Sequence, residues 1–168
     1  LIVARLTANQ FVLSTSVLVA NTYSFVAGSW SISAGGPKVY YGTRAAVASD
    51  VSTGAVDGSG VQVDDSLEIL TVGNLRSGSN DSANGRVAIA ALVARVMTLG
   101  EIQRWQFRPG IVADTKLYCE YGWNGTGTQF DWSGNGNNGT VTGATVADHV
   151  PLGGRWPDDW YDMGGAAA

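Results

Sequence analysis

Short runs of β-branched and aromatic residues recur along the chain, separated by clusters of Gly, Ser, Asn and Asp. This pattern is typical of all-β proteins, in which short strands alternate with turns. The segment Ala34–Pro37 predicts one such turn. After it, Val39 and Tyr41 fall on one face of a strand. Lys38 and Tyr40 fall on the other, and we predict that one of the two faces is wet. The predicted strands are Leu1–Leu6, Phe11–Leu18, Tyr23–Ile32, Lys38–Tyr41, Val61–Val63, Leu67–Val72, Gly85–Val96, Lys116–Tyr121 and Gly139–Thr145.

One helix interrupts this strand pattern, from Thr98 to about Gln106 (residues 98–106). Thr98 is a good N-cap residue, and Glu101 follows three positions later, as in a capping box. The Pro109–Gly110 pair then ends the segment. We therefore predict a single short helix in an otherwise all-β fold.

The chain has 168 residues, the size of one domain. Charged residues make up 14% of it, against about 25% in average soluble proteins. Ten Lys and Arg residues stand against 14 Asp and Glu residues, which gives a net charge of −4. Because no basic stripe exists to neutralise a phosphate backbone, we predict that the protein binds no nucleic acid.

Membrane insertion is not predicted, because the longest uncharged apolar stretch, Val87–Ala94, is far shorter than the ~20 residues that cross a bilayer. Polar residues interrupt the first twenty positions, which we interpret as strands and not as a signal peptide. The first residue is Leu1 and not Met, so we expect a processed product or a fragment. The single cysteine, Cys119, cannot form an internal disulfide, and such a thiol most often fills core.

Two regions follow from this organisation: a β-sandwich over residues 1–150 and a C-terminal tail over residues 151–168. The tail combines aromatic and acidic residues with a Gly/Ala-rich end. Exposure of three of its aromatic side chains to water would cost too much free energy, namely those of Trp156, Trp160 and Tyr161. We therefore predict that the tail docks on its own domain or on a neighbouring subunit.

Residues 124–139, here called the Gly-Asn loop, are a candidate binding site, because long loops in compact domains are often functional. Trp123 and Trp132 flank or lie in this loop, and an exposed indole ring can stack on the face of a sugar. The amides of Asn124 and Asn135 would bond its hydroxyl groups. The alternative is that the two rings pin the loop to the sandwich. By contrast, Trp30 and Trp105 lie on predicted regular elements, which favours core packing for them.

Calcium is a second candidate ligand of the same loop. Asp131, Asn135 and Asn137 occupy alternating positions, and calcium accepts carboxylate, amide and backbone oxygens from flexible loops. The alternative is that the Asn-Gly pairs make ordinary tight turns, since the loop carries a single carboxylate.

Catalysis has little support in the sequence. A small glycosidase would need two carboxylates facing one bond. Asp64, Ser66 and Glu68 would share a face of one strand, but a solvated strand edge explains them as well. The single histidine, His149, has no serine-elbow or metal-spacing context. We predict a non-enzymatic protein.

Several segments, in chain order, resemble the laminin-G-like (concanavalin A-like) jelly rolls found in bacterial secreted proteins and phage virion proteins. The most specific match runs from Gly85-Arg-Val-Ala through Met97-Thr-Leu-Gly-Glu-Ile102, a strand that leads into a capped helix. The loop sequence Asp131-Trp-Ser-Gly-Asn-Gly-Asn-Asn-Gly-Thr-Val-Thr-Gly-Ala144 is similar to a Gly-rich segment of the family. Further similar segments are Tyr23–Trp30, Lys38–Thr43 and Leu70–Gly73.

The resemblance implies an antiparallel jelly-roll β-sandwich. It favours a structural or attachment protein of a larger assembly, namely a phage virion decoration or fibre protein. The partners would be further copies of the chain or other virion subunits, and the location would be the virion or the extracellular space. The alternative is a secreted, lectin-like carbohydrate-binding module, with or without calcium, whose partner is a glycan.

The sequence departs from the family at two points. The family has more strands ahead of the Tyr23 position than twenty residues supply, so the chain is either cut short or completes its sheet with another subunit. The Asp131 segment often stands near the beginning of a domain in the family, whereas here it follows the helix.

Overall fold

The computed structural model describes residues 2–4, 10–14, 18–19, 22–31, 36–53, 70, 72, 85–121 and 125–145. Every strand pair among these residues is antiparallel. The described residues contain one helix, so the prediction of an all-β protein with one short helix is confirmed at this level. The elements are β1 Ile2–Ala4, β2 Gln10–Ser14, β3 Ser24–Ser29, β4 Lys38–Thr43, β5 Ser49–Asp50, β6 Ser52–Thr53, β7 Ile89–Val93, α1 Leu99–Phe107 and β8 Thr115–Glu120.

The chain divides into two compact units. Unit 1 comprises Leu1–Leu67 and Val96–Phe107, and unit 2 comprises Glu68–Arg95 and Arg108–Ala168. Unit 1 contains the sheets β1-β2-β6 and β3-β4-β5 together with α1, and unit 2 contains the sheet β7-β8. The predicted boundary at residue 150 lies outside the described residues.

The core of unit 1 forms where α1 packs against the β3-β4-β5 sheet. Phe25 and Ala27 lie on one face of β3, and the register pairs Ala27 with Tyr40 of β4. Tyr40, Ala48 and Ile102 of α1 form the buried cluster, and Phe25 and Ala27 pack against it. Helix and sheet therefore bury their apolar faces against each other.

The prediction of a wet face on β4 is wrong at its centre. Val39 and Tyr40 lie on opposite faces, and both are buried. On the Tyr40 face the physical reason is that Ile102 of the helix packs there. At the start of β4 the side chains stay partly exposed. There the ammonium group of Lys38 lies 3.3 Å from the Asp50 carboxylate.

Several strand boundaries differ from the predicted ones. The predicted strand Gly139–Thr145 is absent as a regular strand, because only Gly139 makes a bridge there, with Gln129. Glycine at 143 with a φ of 71° also breaks an extended run. The short strands β5 and β6 were not predicted, because their residues are polar and carry no apolar alternation. The predicted strand Val61–Val63, and all of Leu67–Val72 except residues 70 and 72, lie outside the described residues.

Trp30 and Trp105, which were predicted to pack in the core, are half-buried in the structure. The Trp105 ring of α1 lies 6.0 Å from the Phe25 ring, centroid to centroid. This contact adds aromatic packing to the helix–sheet interface of unit 1.

The predicted capping box of α1 is confirmed. The backbone N–H of Thr98 donates to Oε2 of Glu101 at 2.8 Å, and the Glu101 N–H donates to the Thr98 hydroxyl at 3.3 Å. Both side chains therefore satisfy amide groups that the first helical turn leaves without partners.

We expect Thr98→Ala to lower the free energy of unfolding by about 1 kcal/mol, because the Glu101 amide loses its acceptor. Urea unfolding followed by circular dichroism measures this change. Thr98→Ser is the matched control, since serine keeps the hydroxyl, and it should remain close to the wild type. Equal losses in both variants would show that the cap does not stabilise the helix.

Candidate functional site

The Gly-Asn loop lies along the edge of β8 that faces away from β7. The Tyr118 N–H donates to Oδ1 of Asp131 at 3.0 Å, and the Trp132 N–H donates to the Tyr118 carbonyl at 2.8 Å. The other edge of β8 pairs with β7, for example Tyr118 opposite Ala91. Residues 131 and 132 thus take the place of a third strand beside β8.

The Asp131 carboxylate organises this loop. It is buried, and it accepts three backbone N–H groups, from Tyr118 and Ser133 on Oδ1 and from Asn137 on Oδ2, at 2.9 to 3.0 Å. Burial raises the pKa of Asp131, but the hydrogen bonds from Ser133, Tyr118 and Asn137 outweigh burial and lower this pKa from 3.8 to about 2. The carboxylate is therefore a charged anchor for the loop backbone.

Two asparagine side chains extend the attachment to β8. Nδ2 of Asn135 donates to the Thr115 carbonyl at 2.9 Å, and Nδ2 of Asn137 donates to the Lys116 carbonyl at 2.8 Å. The Ser133 hydroxyl also donates to the Lys116 carbonyl, at 3.2 Å. These side chains cover backbone carbonyls that an edge strand otherwise leaves to water.

The three residues predicted to bind calcium are brought together, and their side chains bond the loop to β8 and to its own backbone. Asn135 and Asn137 direct their NH₂ groups, which cannot ligate a cation, at β8. Both oxygens of Asp131 already accept N–H groups. Within the described ranges, no cluster of three or more His, Cys, Asp or Glu side chains is placed to hold a metal ion. Calcium binding by this loop stays a prediction.

The outer surface of the loop carries two aromatic rings. Gln129 and Asp131 are buried, whereas Phe130 and Trp132 are 47% and 53% exposed. The two ring centroids are 6.0 Å apart, and the ring planes are tilted by 60°. Sequence reasoning selected Trp132 but missed Phe130. The signal was available, because two residues separated by one position point to the same side of an extended segment.

Near the loop, Glu120 accepts a hydrogen bond and the Cys119 thiol is buried. The Tyr118 hydroxyl donates to Glu120 at 2.8 Å, and burial together with this carboxylate raises the pKa of Tyr118. Cys119 is buried, as expected of a thiol that fills core. Burial, and then the charge of Asp131, raise the pKa of Cys119, so this thiol is not activated as a nucleophile.

The remaining predicted site residues lie outside the described part of the chain. They are Trp123 and Asn124 of the proposed glycan site, Trp156, Trp160 and Tyr161 of the tail, and Asp64, Ser66, Glu68 and His149.

Comparisons of the chain with family models, with curated protein sequences and with solved structures found no match. In the part of the chain that the structure describes, no helix has the length and apolar character needed to cross a bilayer.

Proposed function

We propose that this chain is a non-enzymatic structural or attachment subunit of a larger assembly, built as an antiparallel jelly-roll β-sandwich of the laminin-G-like (concanavalin A-like) kind. More specifically, we propose that it is a phage virion protein that decorates the capsid or belongs to a fibre. Its partners are further copies or other virion subunits.

One observation carries this proposal: fourteen large hydrophobic side chains are exposed among the residues whose side chains the structure describes. Single exposed apolar residues are ordinary, but several in one unit leave surface that a neighbouring subunit can cover. The exposed residues of unit 1 are Leu18, Val19, Tyr23, Val26, Val47, Val96 and Leu99, and those of unit 2 are Leu70, Val72, Val87, Leu92, Ile111, Phe130 and Trp132.

The low charge of the chain points the same way. Charged residues make up 14% of the sequence, whereas they make up about 25% of average soluble proteins. A subunit whose surface is largely covered by neighbours needs fewer charges to stay in solution.

We expect the purified full chain to form a stable trimer or larger oligomer, measured as native mass by light scattering behind a sizing column. Val26→Lys in unit 1 and Leu92→Lys in unit 2 place a charge on an exposed apolar position, and at least one of them should lower the mass. Thr142→Lys adds the same charge at an exposed polar position and is the matched control. A monomeric wild-type chain would count against assembly.

A second candidate function is a secreted, lectin-like module, and the exposure of Trp132 on an anchored loop favours it. Calcium dependence is part of this candidate. If Asp131, Asn135 and Asn137 hold calcium, adding the ion will raise the midpoint of thermal unfolding and a chelator will reverse the shift. An unchanged midpoint would favour the purely structural role of these side chains.

A further inference from the structure

We infer that the surface formed by Phe130 and Trp132, here called the aromatic face, binds an uncharged saccharide by stacking on its C–H face. The inference rests on the second candidate function, the lectin-like module, for which it names the two rings that bind and the neutral class of saccharide.

Residues 129–132 have an inverted polarity. In a segment that simply packs on a sheet, aromatic side chains turn inward and polar ones outward. Here Gln129 and Asp131 turn inward, and Phe130 and Trp132 turn outward. Two exposed rings beside buried polar groups keep a large apolar area in water, which favours a surface made to be covered by a ligand.

The backbone that carries the rings is held in place before any ligand arrives. The Trp132 N–H is bonded to Tyr118, and the Asp131 N–H donates to Oδ1 of Asn138 at 2.9 Å. The Gln129 backbone pairs with Gly139 in both directions, at 3.0 and 2.8 Å. A preorganised surface loses little entropy on binding, so even a small stacking area can give measurable affinity.

The loop itself carries no exposed charge. Between residues 125 and 145, Asp131 is the single charged residue, and it is buried. The exposed neighbours in sequence are hydroxyl and amide residues such as Thr128, Asn135 and Asn138. The exposed charged residue bonded to the loop is Lys116 of β8, through its carbonyl, so the loop's own surface is neutral. It suits a neutral ligand that has an apolar face and many hydroxyl groups, which describes a saccharide.

The same geometry changes the role of one predicted binding residue. Nδ2 of Asn135 is bonded to the Thr115 carbonyl and to the Ser133 hydroxyl at 2.8 Å, and so it supports the loop. Asn135 is therefore a positioning residue for the aromatic face and does not use its NH₂ group to contact the saccharide.

The test is affinity electrophoresis of the full chain in native gels that contain dextran, mannan or galactan, with heparin as the charged comparison. We expect at least one neutral polysaccharide to retard the wild type. Trp132→Leu keeps an apolar side chain but removes the ring, and it should weaken apparent binding by about tenfold or more. Phe130→Leu should weaken binding as well, whereas Trp132→Phe should retain part of it.

Leu92→Ala is the matched control, because it removes an exposed apolar side chain from unit 2 outside the aromatic face, and it should bind as the wild type does. Circular dichroism and the thermal midpoint verify that each variant is folded. No retardation by any neutral polysaccharide, retardation by heparin alone, or full binding by Trp132→Leu would each overturn the inference.

Light scattering on the same variants separates this inference from the proposed assembly. An oligomeric Trp132→Leu chain that no longer binds polysaccharide would support both. A Trp132→Leu chain that falls apart into monomers would make the aromatic face a contact between copies, which overturns the saccharide inference and keeps the assembly. A monomeric wild type that binds polysaccharide would refute the assembly and keep the site.

Discussion

Gly42→Ala is expected to lower the free energy of unfolding by about 2–4 kcal/mol. A Cβ atom at position 42 would lie 2.6 Å from Nε2 and 2.7 Å from Oε1 of Gln106, which is far closer than these atoms can approach. The buried Gln106 side chain accepts the Ala48 N–H at 2.6 Å and donates to the carbonyls of Thr43 and Ala46, at 2.7 and 2.9 Å. The added methyl group must displace it, which leaves buried polar groups without partners.

A double-mutant cycle with Gln106→Ala gives this prediction its control. Gln106→Ala alone should cost about 3 kcal/mol, because it removes the same hydrogen bonds. In that background Gly42→Ala should cost little, since the atoms it would clash with are gone. Urea unfolding of the four proteins measures the cycle. Additive losses would show that Gly42 and Gln106 are not coupled.

Gly100→Ala is a second control for the glycine substitution. Gly100 lies in the first turn of α1, and a Cβ atom there meets nothing within 4 Å. Alanine in a helix is more stable than glycine by about 0.5–1 kcal/mol, so this variant should be stabilised. Opposite signs for Gly42→Ala and Gly100→Ala would separate steric conflict from a general effect of removing glycine.

Asp131→Asn is the second substitution with a large expected effect, a loss of about 2–3 kcal/mol near neutral pH. The asparagine NH₂ group would face a backbone N–H, either that of Asn137 or those of Tyr118 and Ser133. The loop would then lose part of its attachment to β8. Chemical denaturation monitored by tryptophan fluorescence measures the difference between the variant and the wild type.

The pH dependence of this difference has a definite sign. The pKa of Asp131 is lowered in the folded state from 3.8 to about 2, so the folded protein favours the charged carboxylate. The stabilisation from the Asp131 carboxylate is complete above pH 3.8 and is lost as the pH falls towards 2. The difference in the free energy of unfolding between wild type and Asp131→Asn should therefore narrow over this range. A difference that stays constant with pH would show that the charge of Asp131 is not what anchors the loop.

Asp114→Asn is the matched control for charge removal. The Asp114 side chain is exposed, and its contact with Arg95 is a long one, 3.8 Å from Nε to Oδ2. Asp114 also has a φ of 64°, a backbone conformation that asparagine tolerates well. We expect its effect on the free energy of unfolding to stay within about 0.5 kcal/mol.

Features that depend on neighbours in sequence could be predicted from the chain alone. The capping box of Thr98 and Glu101 is an example, because both partners lie within one helical turn. The hydrogen bonds of Gln106 could not be predicted, because they join residues about sixty positions apart. The burial of Tyr40 on β4 was missed for the same reason, since it depends on where α1 packs.

The Gly-Asn loop could be singled out from the sequence, but the direction of its side chains could not. Sequence spacing identified Asp131, Asn135 and Asn137 as oxygen-bearing residues in a Gly-rich loop. It could not show that their side chains turn towards β8, because direction depends on the strand beside them. Alternation alone would have placed Phe130 and Trp132 inside, and the structure turns them outward.

The attachment of the Gly-Asn loop to β8 also limits how copies of this chain can join. Uncovered strand edges allow one chain to template the next, which leads to open-ended fibrils of indefinite length. At β8 the Lys116 carbonyl and both backbone groups of Tyr118 are already engaged within the same chain. Another chain that adds as a strand at this edge would have to displace these hydrogen bonds, so the attached loop works against open-ended polymerisation here.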